Sequence, residues 1–133
     1  MARTTVDDLL ADARRGLTRL KPTEALEAIR SGATLIDIRS ETQIAHDGVV
    51  PEALRIRRNV LEWRLDPDSG HRHPQAPGLE DRVILMCDEG YASSLAAATL
   101  QQLGFTQATD LAGGFQGWRA AGLPVEPAGG AGS

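Results

Sequence analysis

The segment Asp81 to Cys87, "DRVILMC", constrains this chain most. Four consecutive large apolar residues, Val83 to Met86, leave no polar face for solvent, so the segment predicts a strand buried on both sides. Such strands belong to parallel sheets covered by helices. The flanking segments fit. "ATLIDIR" (33–39) predicts a second buried strand, "LRI" (54–56) a short one and "ATDL" (108–111) a last one. Helical spacing runs over 6–19 with Thr5 as N-cap, over 23–31 with Thr23 as cap and Gly32 as stop, over 93–103 with Ser93 or Ser94 as cap, and over 115–121. Strands alternating with helices predict an α/β fold with a central parallel sheet and helices on both faces. The segment from Arg64 to Gly78, with three prolines and two glycines, predicts a loop.

With 133 residues, the chain has room for one domain. Its formal charge of -4 and scattered basic residues argue against a nucleic-acid surface. No stretch approaches the roughly 20 apolar residues that span a bilayer. The first residues carry Asp7, Asp8 and Asp12 and no apolar signal core, which predicts a cytoplasmic protein. A single cysteine excludes an internal disulfide.

That cysteine, Cys87, ends the central strand, and ligands of open α/β sheets bind beyond the carboxyl ends of strands. Gly90 permits the positive φ of a tight loop, and the next helix begins just beyond. Loop N–H groups turned toward the sulfur, with the positive end of that helix, would favour a thiolate or a bound anion. A buried cysteine that merely packs is the competing reading.

From about residue 20 to residue 125 the chain resembles the rhodanese-like (sulfurtransferase) domain family. Three blocks carry the resemblance: "LIDIRSETQIAHDGVVPEAL", the Cys-x-x-Gly-x-x-Ser loop from Cys87 to Ser93, and "LGFTQATDLAGGFQGWRAAGLPV". The resemblance implies a mostly five-stranded rhodanese-like sheet over residues 20–126, a helical extension over 1–19 and a flexible tail over 127–133. It implies a sulfurtransferase, in which Cys87 takes a sulfane sulfur from thiosulfate or a protein persulfide and passes it to a thiol or cyanide. Asp88, Glu89, Gly90, Tyr91, Ala92 and Ser93 would surround the outer sulfur, with Asp37, Arg39 and Arg64 in support. No metal and no organic cofactor is called for, and the protein would act as a monomer or homodimer.

Departures are specific. Family members that prefer thiosulfate often carry arginine after the cysteine and again before the serine; here Asp88 and Ala92 occupy those places. Like charges disfavour a dianion beside Asp88 and Glu89, so thiosulfate activity is expected to be weak. A catalytically quiet binding or regulatory module is the alternative reading. Compensating charge is expected from Arg64, His71, Arg72 and His73, a spacing that gives little support for zinc. A phosphatase would need Cys-x5-Arg, whose guanidinium holds phosphoryl oxygens; Ser93 stands at that place.

Overall fold

A computed structural model describes residues 2–129. Four strands form one parallel sheet in the order β2-β1-β3-β4: β1 (Thr34–Asp37), β2 (Leu54–Arg55), β3 (Val83–Met86) and β4 (Ala108–Asp110). Six helices surround it: α1 (Val6–Arg15), α2 (Pro22–Arg30), α3 (Glu41–Asp47), α4 (Leu61–Leu65), α5 (Ala92–Gln102) and α6 (Gly114–Ala120).

The strand period of two sorts the side chains into two cores. Ile36, Val83, Leu85 and Cys87 face α4 and α5, where Leu61, Leu65, Ala96, Ala97 and Leu100 complete one apolar layer. Leu35, Ile84 and Met86 face α2 and α6, where Ala25, Ala28, Phe115 and Trp118 complete the other. The expected helices on both faces are present, and β3 is fully buried along its length.

Several expectations are corrected. The sheet has four strands rather than five. Beyond β4 the pairing continues only as an isolated parallel bridge between Leu20 and Leu111. Leu20 exchanges hydrogen bonds with Asp110 and Ala112, but Pro22 lacks an N–H and opens α2, which halts further pairing. That proline at the first turn, with Lys21 as N-cap, also displaces Thr23 from the cap. Helix α1 stops at Gly16 rather than reaching residue 19, although Thr5 caps it as expected. It buries no residue; Val6 and Leu9 are exposed. A 3-10 turn (Arg58–Val60) and α4 precede the proline-rich loop. Residues 130–133 of the expected tail lie outside the described residues.

Candidate active site

Cys87 follows β3 immediately, at the carboxyl end of the sheet, and is 8% exposed. The chain then turns through Asp88, Glu89 and Gly90 into α5. Gly90 has φ +92°, a conformation that costs an L residue roughly 1–2 kcal/mol. That torsion aims the Gly90 N–H at Cys87 Sγ, 3.2 Å away, while the Ser93 N–H donates to the same sulfur at 3.3 Å. Two converging main-chain dipoles favour negative charge on Sγ.

The Gly90 carbonyl points the other way. It accepts from Arg14 Nη2 at 2.8 Å and from Arg19 Nη2 at 2.7 Å. Arg19 also holds the Asp110 carboxylate through Nε (2.9 Å) and Nη2 (3.1 Å). Asp110, fully buried, accepts further hydrogen bonds from the hydroxyls of Ser93 (2.7 Å) and Ser94 (2.8 Å). Neither serine caps α5: both lie inside the helix, buried, and their hydroxyls are spent on Asp110. The Arg14 guanidinium donates to Ser94 Oγ at 3.0 Å and sits 5.6 Å from the Tyr91 ring centroid.

From the other side the turn before α6 closes on the cysteine. Phe115 N–H donates to Cys87 O at 2.8 Å and Gln116 N–H to Asp88 O at 3.0 Å. A Cβ on Gly114 would lie 2.6 Å from both of those carbonyl oxygens, so the approach requires glycine. The closeness expected of the Gly113–Gly114 turn is therefore present.

A cavity of about 300 Å³ opens above the sulfur. Cys87, Asp88, Glu89, Tyr91 and Ala92 line it, joined by Ile38, Arg39, Gln43 and Arg58. Asp88 is half-buried and accepts from Gln116 Nε2 at 2.9 Å; Glu89 and Tyr91 are exposed. Gln116 also reaches Asp47. The Asp47 carboxyl is held below its ordinary value, first by the His46 side chain and then, against some desolvation, by Gln116 and Arg119.

Asp37 and Arg39 form a fully buried ion pair at 2.8 Å. Arg39 Nη2 also donates to Gly48 O at 2.8 Å, and its guanidinium lies 3.9 Å from the Phe115 ring centroid. Arg39 thus meets Phe115, whose N–H donates to Cys87 O, and it also lines the Cys87 cavity. Arg64 and His73 do not line the Cys87 cavity; they line a neighbouring one, while Arg64 donates to His71 O and Arg72 to Ala76 O. The cation beside Cys87 that sequence reasoning missed is Arg58, paired with Glu62 at 2.9 Å. It follows the end of β2, and the strand-end rule applied to that strand would have found it. Arg14, Arg19 and Asp110 were missed as well. Asp110, a carboxylate ending a strand beside β3, was the available signal.

The rhodanese-like domain model matches residues 21–121. A thiosulfate sulfurtransferase, GlpE, of Actinobacillus pleuropneumoniae is 34% identical over 112 residues, covering 84% of this chain and 94% of its own length. GlpE of Ectopseudomonas mendocina is 32% identical, covering 83% and 91%. Among solved structures, a protein of unknown function from Rhodopseudomonas palustris, described as a possible tyrosine phosphatase, superposes with a TM-score of 0.84 at 30% identity, covering 95% of this chain and 99% of that one. The human single-domain sulfurtransferase TSTD1 superposes with a TM-score of 0.67 at 29% identity, covering 77% and 95%. The match of the family model, the parallel sheet and the agreement with full-length sulfurtransferases together establish that the chain belongs to the rhodanese-like domain family.

Proposed function

We propose that this protein is a single-domain sulfurtransferase working through a persulfide on Cys87. The observation that carries the reading is the sulfur itself, held by the N–H groups of Gly90 and Ser93 at the floor of an open cavity. With thiosulfate, the Cys87 thiolate attacks the outer sulfur; the new S–S bond forms as the old one breaks, and sulfite leaves with the electron pair. An acceptor thiolate or cyanide then attacks the outer sulfur and releases the Cys87 thiolate. The two amides stabilise negative charge on the sulfur at both ends of this cycle. The cysteine is chemically competent in a reducing cytoplasm, where a lone thiol stays free.

Asp88 and Glu89 on the cavity wall favour weak turnover with thiosulfate, and they are the observation behind the alternative reading of a binding module. A phosphatase reading has less support. Ser93 stands where a phosphoryl-binding arginine would, and its hydroxyl is committed to Asp110.

The test is intact-mass measurement after incubation with thiosulfate or an organic persulfide. A gain of one sulfur mass, absent from Cys87→Ser and discharged by cyanide, is the expected result. A folded chain with an alkylatable Cys87 that no donor modifies would overturn the proposal in favour of the binding module.

A further inference from the structure

We infer that a second cavity beside that of Cys87 is an anion subsite, which seats the carboxylates of a small organic persulfide while its sulfur reaches Cys87. This inference rests on the sulfurtransfer reading above and names its donor class.

The second cavity encloses about 520 Å³ at the carboxyl ends of β1 and β2. Arg39, Arg55, Arg57, Arg64 and His73 line it, against the carboxylates of Asp37 and Glu41. Asp37 is already paired with Arg39. Among the described residues no acid forms an ion pair with Arg55, Arg57 or Arg64. A chain of formal charge -4 thus gathers an excess of positive charge on one wall. Guanidinium groups grouped in this way suit carboxylates, which they bind through paired N–H donors.

Arg39 joins the two cavities, because it lines both. Its Nε and Nη2 are used by Asp37 and Gly48, while Nη1 is buried with no hydrogen-bond partner among the described residues. Buried donors are nearly always paired, so an unpaired donor on a residue that lines both cavities is consistent with a ligand group beside it.

Charge and length together select the ligand. The Cys87 cavity carries Asp88 and Glu89 beside Arg39 and Arg58, which are already paired with Asp37 and Glu62, whereas its neighbour adds Arg55, Arg57 and Arg64, which have no acid partner among the described residues. Strand β2 lies two places from β3, so with neighbouring strands about 4.8 Å apart its end is about 10 Å from that of β3. Thiosulfate is too short to bridge that span, so its charge would stay beside Asp88 and Glu89, with only the already paired Arg39 and Arg58 to offset them. A persulfide with carboxylates several bonds from its sulfur divides differently, placing its charge among the arginines and its sulfur over Cys87. The step balances: the Cys87 thiolate attacks the terminal sulfur of R–S–SH, a Cys87–S–SH bond forms, the donor S–S bond breaks, and R–S⁻ departs.

The test compares two donors, glutathione persulfide with two carboxylates and 2-hydroxyethyl persulfide with none. Loading of Cys87 would be followed by mass. The expected kcat/KM ratio is about tenfold or more in favour of the first. In Arg55→Gln/Arg57→Gln, both positions being exposed, that ratio falls most of the way to one through KM, since exposed ion pairs are each worth at most about fivefold. Calorimetric titration of Cys87→Ser protein with S-methylglutathione gives a readout without chemistry, and its affinity should fall in the same arginine background. Equal rates with the two donors, or a ratio untouched by the double substitution, overturns the subsite and leaves sulfurtransfer standing. Binding of S-methylglutathione that depends on Arg55 and Arg57, in a protein no donor can load, supports the subsite and removes the transfer reading.

Discussion

Replacing Arg19 by glutamine tests how the cysteine loop is held. The Arg19 side chain is 23% exposed, whereas the Asp110 side chain it neutralises is wholly buried. Removing one partner of a buried pair costs about 3–5 kcal/mol, because the remaining charge is left uncompensated. Here the Ser93 and Ser94 hydroxyls still donate to Asp110, and solvent reaches the arginine's edge, so we expect about 2–3 kcal/mol. At about 2.1 cal/mol/K of unfolding entropy per residue, a chain of 133 residues would lose about 7–11 °C in Tm. The same substitution removes one of two guanidinium donors from Gly90 O, which loosens the peptide that aims an N–H at Sγ. Alkylation of Cys87 by iodoacetamide at fixed pH should slow about fivefold, equivalent to about 1 kcal/mol of lost anion stabilisation. A double-mutant cycle with Asp110→Asn separates the causes: if the unpaired carboxylate dominates, Asp110→Asn costs less in the Arg19→Gln background than alone, with coupling above about 1 kcal/mol. A Tm within about 2 °C of the parent together with unchanged alkylation would refute the reasoning.

Three further outcomes follow from the same geometry. Gly114→Ala sets a Cβ 2.6 Å from the carbonyl oxygens of Cys87 and Asp88 at φ +59°, so calorimetry should show a loss of about 3 kcal/mol or more, from overpacking and backbone strain combined. Asp88→Arg replaces a repelling carboxylate on the Cys87 cavity wall by a cation and should raise kcat/KM for thiosulfate about tenfold in a cyanide-coupled assay; an unchanged or lower rate would remove the electrostatic account of the loop. At the N-terminus, the Asp8 carboxyl is held below its ordinary value, first by the Thr5 backbone N–H and then by its hydroxyl. A carboxyl lowered in the folded state stabilises above the unfolded value and loses that effect as pH falls through the folded one. Protection of the first-turn amides of α1, relative to their intrinsic exchange rate at each pH, should therefore fall below about pH 4 in the parent and not in Asp8→Asn.

What was legible in the sequence was the part governed by short-range pattern. Val83 to Met86 have no polar face, so β3 could only be central. Gly90 and the Gly113–Gly114 pair marked sites where backbone approaches backbone, and an added Cβ at Gly90 or Gly114 would meet backbone atoms at 2.6 to 2.8 Å. The serines misled because Ser93 and Ser94 carry the residue type of an N-cap. Their hydroxyls have a stronger acceptor in a buried carboxylate 16 and 17 residues away, and local capping preference gives way to it. Arg58 escaped notice because β2 is only two residues long. Arg64 and His73 were drawn toward Cys87 by their clustering in sequence, yet α4 carries Arg64, and the loop after it His73, to the cavity lined by Arg55 and Arg57 instead.

The cradle around the sulfur illustrates why a loop motif underdetermines a site. At φ +92° Gly90 can send its N–H inward and its carbonyl outward, but the motif itself provides nothing to hold the carbonyl there. That role falls to Arg14 and Arg19, 76 and 71 residues earlier, ahead of the first residue that the family model matches. Two charge-assisted bonds to one carbonyl are each worth about 1.5–3 kcal/mol before solvent competition, enough to bias the loop toward the conformer that faces the sulfur. The segment whose helix α1 has no fully buried residue therefore contributes largely through charge, fixing the orientation on which the Sγ environment depends. Removing residues 2–19 should leave the fully buried members of both apolar cores in place, at the loss of Leu17 from the edge of one, while freeing Gly90 O and leaving Asp110 without its cation. The folded remainder should then show slower Cys87 alkylation than Arg19→Gln alone, and a rate equal to that of the full chain would locate the bracing elsewhere.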